Sequence, residues 1–238
     1  SKYLHFGSAE TDYATDKIGA LAVDAARAAS PKRPIFMELT PISPHWPLEI
    51  APRHANACFD RTFPLPPNFN ATDTVSEPSW MAASQPASAL AETIKRRMTC
   101  SMLRTLDENV NAVIGELARE RRLANTYVIF TSDNGLHFGE HRLFGKGDLY
   151  EESVHVPLLV RGPTVAAGTS SRLTSNIDLA PTIAGWARAT APTGFFDGRS
   201  FGAEASGAAI TGPDAISTPS AAGPAMRMKS IEAAPWVW

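Results

Sequence analysis

An α/β domain is what this sequence predicts, on three observations. Two short runs rich in β-branched and aromatic residues, Tyr127-Val128-Ile129-Phe130-Thr131 and Val156-Pro157-Leu158-Leu159-Val160, each end in turn-forming residues. Around them lie segments whose apolar residues recur at helical spacing. Strand and helix patterns alternate along the chain, as in a sheet covered by helices.

The elements follow in order. From Tyr13 to Ser30, Ile18, Leu21, Ala22 and Ala25 keep helical spacing, with Thr15 or Asp16 available as N-cap and Pro31 and Pro34 as stops. Ile35-Phe36-Met37-Glu38-Leu39 then reads as a buried strand between prolines. The loop after it, Thr40 to Pro47, is too proline-rich for helix or central strand. Loops leaving a buried strand are where α/β proteins usually place their chemistry. Residues 52–88 read as a long irregular excursion, of the kind that is either functional or disordered. The longest helical signal spans Ala89 to Arg122, where Ile94, Met98, Met102, Leu106, Val110, Ile114 and Leu117 mark an apolar stripe. A last helix is expected from near Asp178 through Ile183 and Trp186, with Pro181 in its first turn. Residues 1–201 form the expected domain. Beyond Phe201 the pattern gives way to Ala, Gly, Ser, Thr and Pro with Trp236 and Trp238 as aromatic anchors, so 202–238 reads as a low-complexity tail or the remnant of a C-terminal subdomain. There is no internal repeat.

Charge narrows the function. With 22 basic and 24 acidic residues among 238, the net charge is −2, which argues against a nucleic-acid partner. No apolar run approaches the roughly 20 residues of a membrane-spanning helix. Two cysteines cannot build a disulfide scaffold or a four-Cys zinc site. A soluble globular segment is expected, with residue 1 falling inside a larger domain.

The chemistry concentrates in Ser132-Asp133-Asn134-Gly135 and the residues after it. Asp133 offers a carboxylate and Asn134 an amide oxygen, both hard ligands suited to Ca²⁺ or Mg²⁺ rather than zinc. Gly135 lets the backbone turn without a Cβ beside a bound group. Lys146, between Gly145 and Gly147, can approach a tetrahedral anion as a point charge. Asp-Asn-Gly is also an ordinary turn sequence. His137 and His141 read as a surface pair, since no third soft ligand lies near them. His45, between Pro44 and Trp46-Pro47, either exchanges protons with a substrate or packs beneath its loop. His54 reads as surface or rim. Tyr150-Glu151-Glu152-Ser153 either fixes the loop after Lys146 or forms a solvated face.

In this order, these pieces resemble the sulfatase family of the alkaline-phosphatase superfamily. The resemblance is carried by 126–135, Gly139-Glu140-His141-Arg142, Gly145-Lys146, Tyr150-Glu151-Glu152, Val156 to Pro163, Ser175 to Ile183 and Asp197-Gly198-Arg199-Ser200. Upstream, Pro44-His45-Trp46-Pro47 and Ala51-Pro52-Arg53-His54 are similar to the Pro-His-x-Pro loop in the style of N-acetylglucosamine-6-sulfatases. The resemblance implies an alkaline-phosphatase-like sheet with helices on both faces, its N-terminal part lying upstream of residue 1. It implies that Asp133 and Asn134 are two of four ligands of a divalent cation, Ca²⁺ with Mg²⁺ as the alternative. It also implies that His45, Lys146 and His141 contact the sulfate of a small molecule or glycan. A cation, a Lys and a His at a breaking S–O bond stabilise the charge that builds on the leaving oxygen.

The family's nucleophile is a formylglycine made within Cys-x-Pro-x-Arg, which this sequence does not contain. Cys58-Phe59-Asp60-Arg61 does not match, and Cys100-Ser101-Met102-Leu103-Arg104 has Met for Pro and falls after His45, so it reads as a chance match. The early acidic pair of the metal site is also absent. The expectation is a sulfuric ester hydrolase segment that is inactive in isolation. The alternatives are a phosphodiester or phosphonate hydrolase of the same superfamily, or a non-catalytic sulfatase-like binding protein. By resemblance the protein is secreted, periplasmic or lysosomal. The sequence leaves its compartment, ester and oligomeric state open.

Overall fold

Residue order alone explains the first helix. Small residues at Gly19, Ala22 and Ala26 line one side of α1 (Ala14–Ala28), and that side is buried. In the computed structural model, which describes residues 9–72, 81, 84–205 and 228–232, the chain divides into two compact units. The first takes the chain to Ala124 and again over Phe138–Leu143; the second takes Asn125–His137 and the chain from Phe144 on.

In the first unit α1 packs on α2 (Ala89–Arg119), and Ala22, Ala26, Val113 and Leu117 form the shared core with Val23, Met37 and Leu123 around them. Ser88 caps α2 by accepting from the Ala91 amide, as expected of a serine at that position. The cap of α1 differs from expectation. Tyr13 occupies it without capping the helix amides through its side chain, and Thr15 and Asp16 are used elsewhere: Thr15 on Ser43 and Asp16 on Arg53. The apolar stripe of α2 is also rotated from the expected one. Ile94 is 40% exposed, while Ser101, Thr105, Val113 and Glu116 are buried with Met102 and Leu117. The small face of α1 admits polar α2 side chains: Asn109 lies over Gly19 and donates to Thr15 O and Asp16 Oδ1 at 3.3 and 3.1 Å.

The strand expected at Ile35–Leu39 does not form. No strand among the described residues pairs with it, and Phe36 is 72% exposed. A β-rich pattern becomes a strand only where a ladder partner is present.

The second unit holds a three-stranded sheet of order β1 (Val128–Thr131), β4 (Val156–Arg161), β5 (Met228–Glu232). β1 runs antiparallel to β4 with Thr131 opposite Leu158, and β5 runs parallel to β4. β4 alternates as the period of a strand requires, burying Val156, Leu158 and Val160. The β4–β5 register slips between Val156 and Leu158, where Pro157 has no N–H to give to a ladder. Phe201 and Ala205 complete the core, with Trp186 stacked on Tyr127 at 4.1 Å and edge-on to Phe201. β1 is half-buried throughout and lies at the edge of the described sheet.

Two short strands, β2 (His137–Phe138) and β3 (Phe144–Gly145), make a ribbon, and a short helix α3 (Glu151–Val154) precedes β4. The last expected helix forms as α4 (Leu179–Trp186), introduced by a Ser175–Asp178 capping box and with Pro181 in its first turn. After it comes α5 (Gly202–Ala205), so helix and strand continue past Phe201 at 202–205 and 228–232. The anchors Trp236 and Trp238, and part of the 52–88 excursion, lie outside the described residues. Among the described residues no helix is long and apolar enough to cross a membrane.

Candidate functional site

β1 ends where its ladder stops, and the chain turns at once through Ser132 to Gly135. The turn is held on three sides. Ser132 Oγ donates to Asn134 O at 2.8 Å, and the Asn134 amide donates to Asp133 Oδ1 at 3.0 Å. Asn176, just before α4, donates to Asp133 O at 3.2 Å. The Gly135 amide donates to Ser153 O on α3 at 2.9 Å. Gly135 does not adopt a left-handed conformation. It is required because a Cβ there would run into the carbonyl oxygen of Glu152.

Lys146 arrives from the other side. Gly145 and Gly147 have φ of +78° and +115°, a region that L side chains rarely enter, so the loop bends on both sides of the lysine. Its Nζ donates to Asn134 Oδ1 at 2.7 Å. Ser153 secures the same loop, accepting the Gly147 amide at its Oγ (3.3 Å). Within Tyr150-Glu151-Glu152-Ser153 it is Ser153 that fixes the lysine loop, while Glu151 is exposed. Asp133, Asn134 and Lys146 come together as one exposed or half-exposed polar cluster.

The donors fit a hard cation in kind and fall short in number. Asp133 Oδ2 has no hydrogen-bond partner among the described residues, and Asn134 supplies a neutral oxygen. Calcium takes about six to eight oxygens. Among the described residues no group of three His, Cys, Asp or Glu side chains could hold a metal.

The two histidines expected at the surface are not a surface pair. His137 is buried, with Nε2 on the Asp148 carboxylate at 3.1 Å and its ring edge-on to Tyr150. The carboxylate eleven residues on gives its ring a partner inside. His141 belongs to the first unit and has φ of +51°. Its amide donates to Asn68 O at 2.9 Å, and Asn68 Nδ2 donates to its Nε2 at 3.1 Å. Beside it, buried Glu140 pairs with Arg96 at 2.8 Å and accepts the Phe138 amide, a long-range ion pair with no local signal in the sequence.

His45, also in the first unit, is exposed, which removes the reading that it packs beneath its loop. Its Nδ1 lies 2.6 Å from Trp46 O. A carbonyl only accepts, so Nδ1 carries the proton and Nε2 is the atom free to exchange one. His54, expected at the rim, is held on Glu108 at 2.8 Å. Arg53 beside it makes a two-pronged bond to Asp16 at 2.7 Å and reaches Glu108 at 2.9 Å, holding the Asp16 carboxyl below the usual carboxylate range. Cys58 and Cys100 form a disulfide, so neither sulfur is a free thiol.

The sulfatase family pattern matches residues 4–189. N-acetylglucosamine-6-sulfatase of Bos taurus is 34% identical over 186 residues, which cover 75% of this chain and 33% of that protein. Arylsulfatase of Volvox carteri is 32% identical over 203 residues, covering 72% and 31%. The chain thus spans about a third of the length of the curated relatives it matches. Among solved structures, a protein in complex with its substrate D-glucosamine-2-N,6-O-disulfate aligns with a TM-score of 0.69 at 24% identity, over 82% of this chain and 52% of that one. The phosphonate monoester hydrolase of Silicibacter pomeroyi aligns at 0.62 and 24% identity, over 85% and 43%. These likenesses show the fold, an alkaline-phosphatase-like α/β domain.

Proposed function

The chain belongs to the sulfatase family, and from that premise we propose that it carries one part of a site that hydrolyses a sulfate monoester. The observation that carries this reading is the bond from Lys146 Nζ to Asn134 Oδ1, with the Asp133 carboxylate next to it on the same turn. A cationic donor and a hard-oxygen pair at one strand end are what an anionic ester and its counter-cation need.

In this reading Asp133 and Asn134 hold a divalent cation, Ca²⁺ before Mg²⁺. When bound, the cation supplies charge neutralisation to the sulfate oxygens. Lys146 binds the sulfate and offsets the charge that grows as the S–O bond lengthens. His45 presents Nε2, protonated, to the leaving oxygen, while its Nδ1–H stays on Trp46 O. His141 contacts the sulfate group. The nucleophile, a formylglycine, comes from sequence outside these 238 residues, since both cysteines here are joined to each other. The substrate is a sulfated glycan or small molecule. The disulfide supports a secreted, periplasmic or lysosomal setting, where oxidised cysteines persist.

The test has two arms. The purified 238-residue chain, given 4-methylumbelliferyl sulfate and Ca²⁺, is expected to show negligible turnover; robust hydrolysis would refute the partial-site reading. Joined to an upstream segment bearing a converted Cys-x-Pro-x-Arg, it is expected to hydrolyse the sulfate ester with dependence on Ca²⁺. Turnover of a phosphonate monoester in its place would make the chain a phosphonate hydrolase. Binding of sulfated glycan without turnover of either ester would make it a non-catalytic relative.

A further inference from the structure

We infer that Tyr13 is a positioning residue for His45, acting through a one-directional chain of hydroxyls that closes the base of the His45 loop. The inference rests on the role given to His45 above, and adds how the fold keeps that imidazole in place.

The loop from Ser43 to Glu49 leaves and rejoins the first unit beside the start of α1. One phenol touches both of its ends. Tyr13 Oη donates to Glu49 O at 2.7 Å and lies 3.1 Å from Ser43 Oγ. Ser43 Oγ in turn lies 2.7 Å from Thr15 Oγ1, with Thr15 and Ser43 both buried.

Each hydroxyl has one proton to give, and that fixes the direction of every bond. The Glu49 carbonyl only accepts, so it takes the Tyr13 proton. The Tyr13–Ser43 bond must then use the Ser43 proton, and the Ser43–Thr15 bond the Thr15 proton. The order is Thr15 to Ser43 to Tyr13 to Glu49 O, with no donor left over. Such chains polarise along their length, and breaking one link weakens the others. Inside this closed base the His45 amide donates to Ile42 O at 2.7 Å and the Glu49 amide to Pro47 O at 2.9 Å. Thr15 on α1 and Tyr13 at its cap thus tie both ends of the loop to the start of that helix, and the chain of hydroxyls sets where His45 stands relative to it.

A merely structural Tyr13 would affect stability alone. A positioning Tyr13 also controls the state of the imidazole, because the bond from His45 Nδ1–H to Trp46 O exists only while the loop keeps its shape. Tyr13→Phe keeps the ring and removes the donor. Ser43→Ala removes the middle link and leaves the Tyr13 bond to Glu49 O.

The experiment uses the 238-residue chain and needs no substrate. Nitrogen-15 shifts of the His45 ring report which nitrogen carries the proton, and amide exchange reports the loop. In Tyr13→Phe we expect exchange at His45 and Glu49 to rise about fivefold, the factor carried by one hydrogen bond of ordinary strength. We expect the ring to pass from the single Nδ1–H form to a mixture of the two tautomers, with α2 amides unchanged. Ser43→Ala is expected to do the same. A folded Tyr13→Phe chain with unchanged ring shifts and exchange would overturn the inference. So would a uniform loss of protection across α1 and α2, which would make Tyr13 a general stability residue. Addition of inorganic sulfate separates the two readings: if the clamp behaves as expected and the His45 ring ignores sulfate, the clamp stands and the catalytic role of His45 falls.

Discussion

Lys146 Nζ and Asn134 Oδ1 are 2.7 Å apart, so one amide oxygen serves the ammonium that it would have to share with a metal. Two cations at one oxygen compete, and the ammonium is the one that can swing away on a flexible stem. Lys146→Met is therefore expected to tighten Ca²⁺ binding to the chain, measured by calorimetry, while lowering kcat of the assembled enzyme by about 10²–10³-fold. Weaker Ca²⁺ binding in the variant would show that the lysine supports the cation and does not oppose it.

Asp133→Asn keeps the shape of the turn and removes its charge. The backbone bond from the Asn134 amide to Asp133 Oδ1 can persist through the new amide oxygen, so folding should survive. Metal affinity should not, because Ca²⁺ sites draw their strength from carboxylate charge. The expected loss exceeds the roughly 10–100-fold that outer-shell partners carry. Unchanged Ca²⁺ dependence of turnover would remove Asp133 from the ligand set.

Gly135→Ala tests the packing beneath the same turn. The added methyl would meet Glu152 O, a backbone atom that cannot rotate aside, while the Gly135 amide must still reach Ser153 O. Destabilisation of about 1–3 kcal/mol is expected, the cost of forcing a group into a filled site. Because Ser153 also holds Gly147 through its hydroxyl, the Lys146 loop should loosen with it, seen as faster amide exchange at Gly147. A variant with wild-type stability would mean that the turn can open without cost.

What could be read from the sequence was what repeats locally. β4 alternates at period two, and α4 opens on a Ser175–Asp178 box that any helix start would use. Asp133, Asn134 and Lys146 were legible as an ordered motif, and their meeting is found in the structure. The failures share a cause. Ile35–Leu39 has the composition of a strand, but composition does not supply a ladder partner. The α2 stripe was read as apolar, yet α1 offers it a face of Gly19, Ala22 and Ala26 that accepts the polar Asn109 beside Val113 and Leu117. His137 with Asp148, and Glu140 with Arg96, are paired by tertiary approach across eleven and 44 residues, and no local pattern encodes that.

The disulfide joins positions 42 residues apart, Cys58 in the excursion and Cys100 on α2. Closing a loop of that length removes chain entropy worth about 4 kcal/mol from the unfolded state. Replacing both cysteines by Ala is expected to lower unfolding stability by about 3–4 kcal/mol in denaturant titration. A double variant with an unchanged midpoint would mean that the excursion contributes nothing to the fold of the first unit.

Glu116 gives a prediction in pH. Its carboxylate is buried between α1 and α2, where Arg119 first and Arg27 second donate to it, and they hold its pKa down to about 2 from an ordinary 4.5. The unfolded chain therefore binds this proton more readily than the folded one as pH falls below 4.5. A carboxyl depressed in the folded state contributes stability that is full above the unfolded value and is lost as pH drops through the folded one. The contribution should be constant at neutral pH, decline below pH 4.5, and be gone once the folded group protonates near pH 2. Glu116→Gln lacks this titration, so the gap in urea midpoint between wild type and variant should narrow across that window. A gap that stays constant from pH 6 to about pH 2 would show that the two arginines do not hold the carboxylate in its charged form.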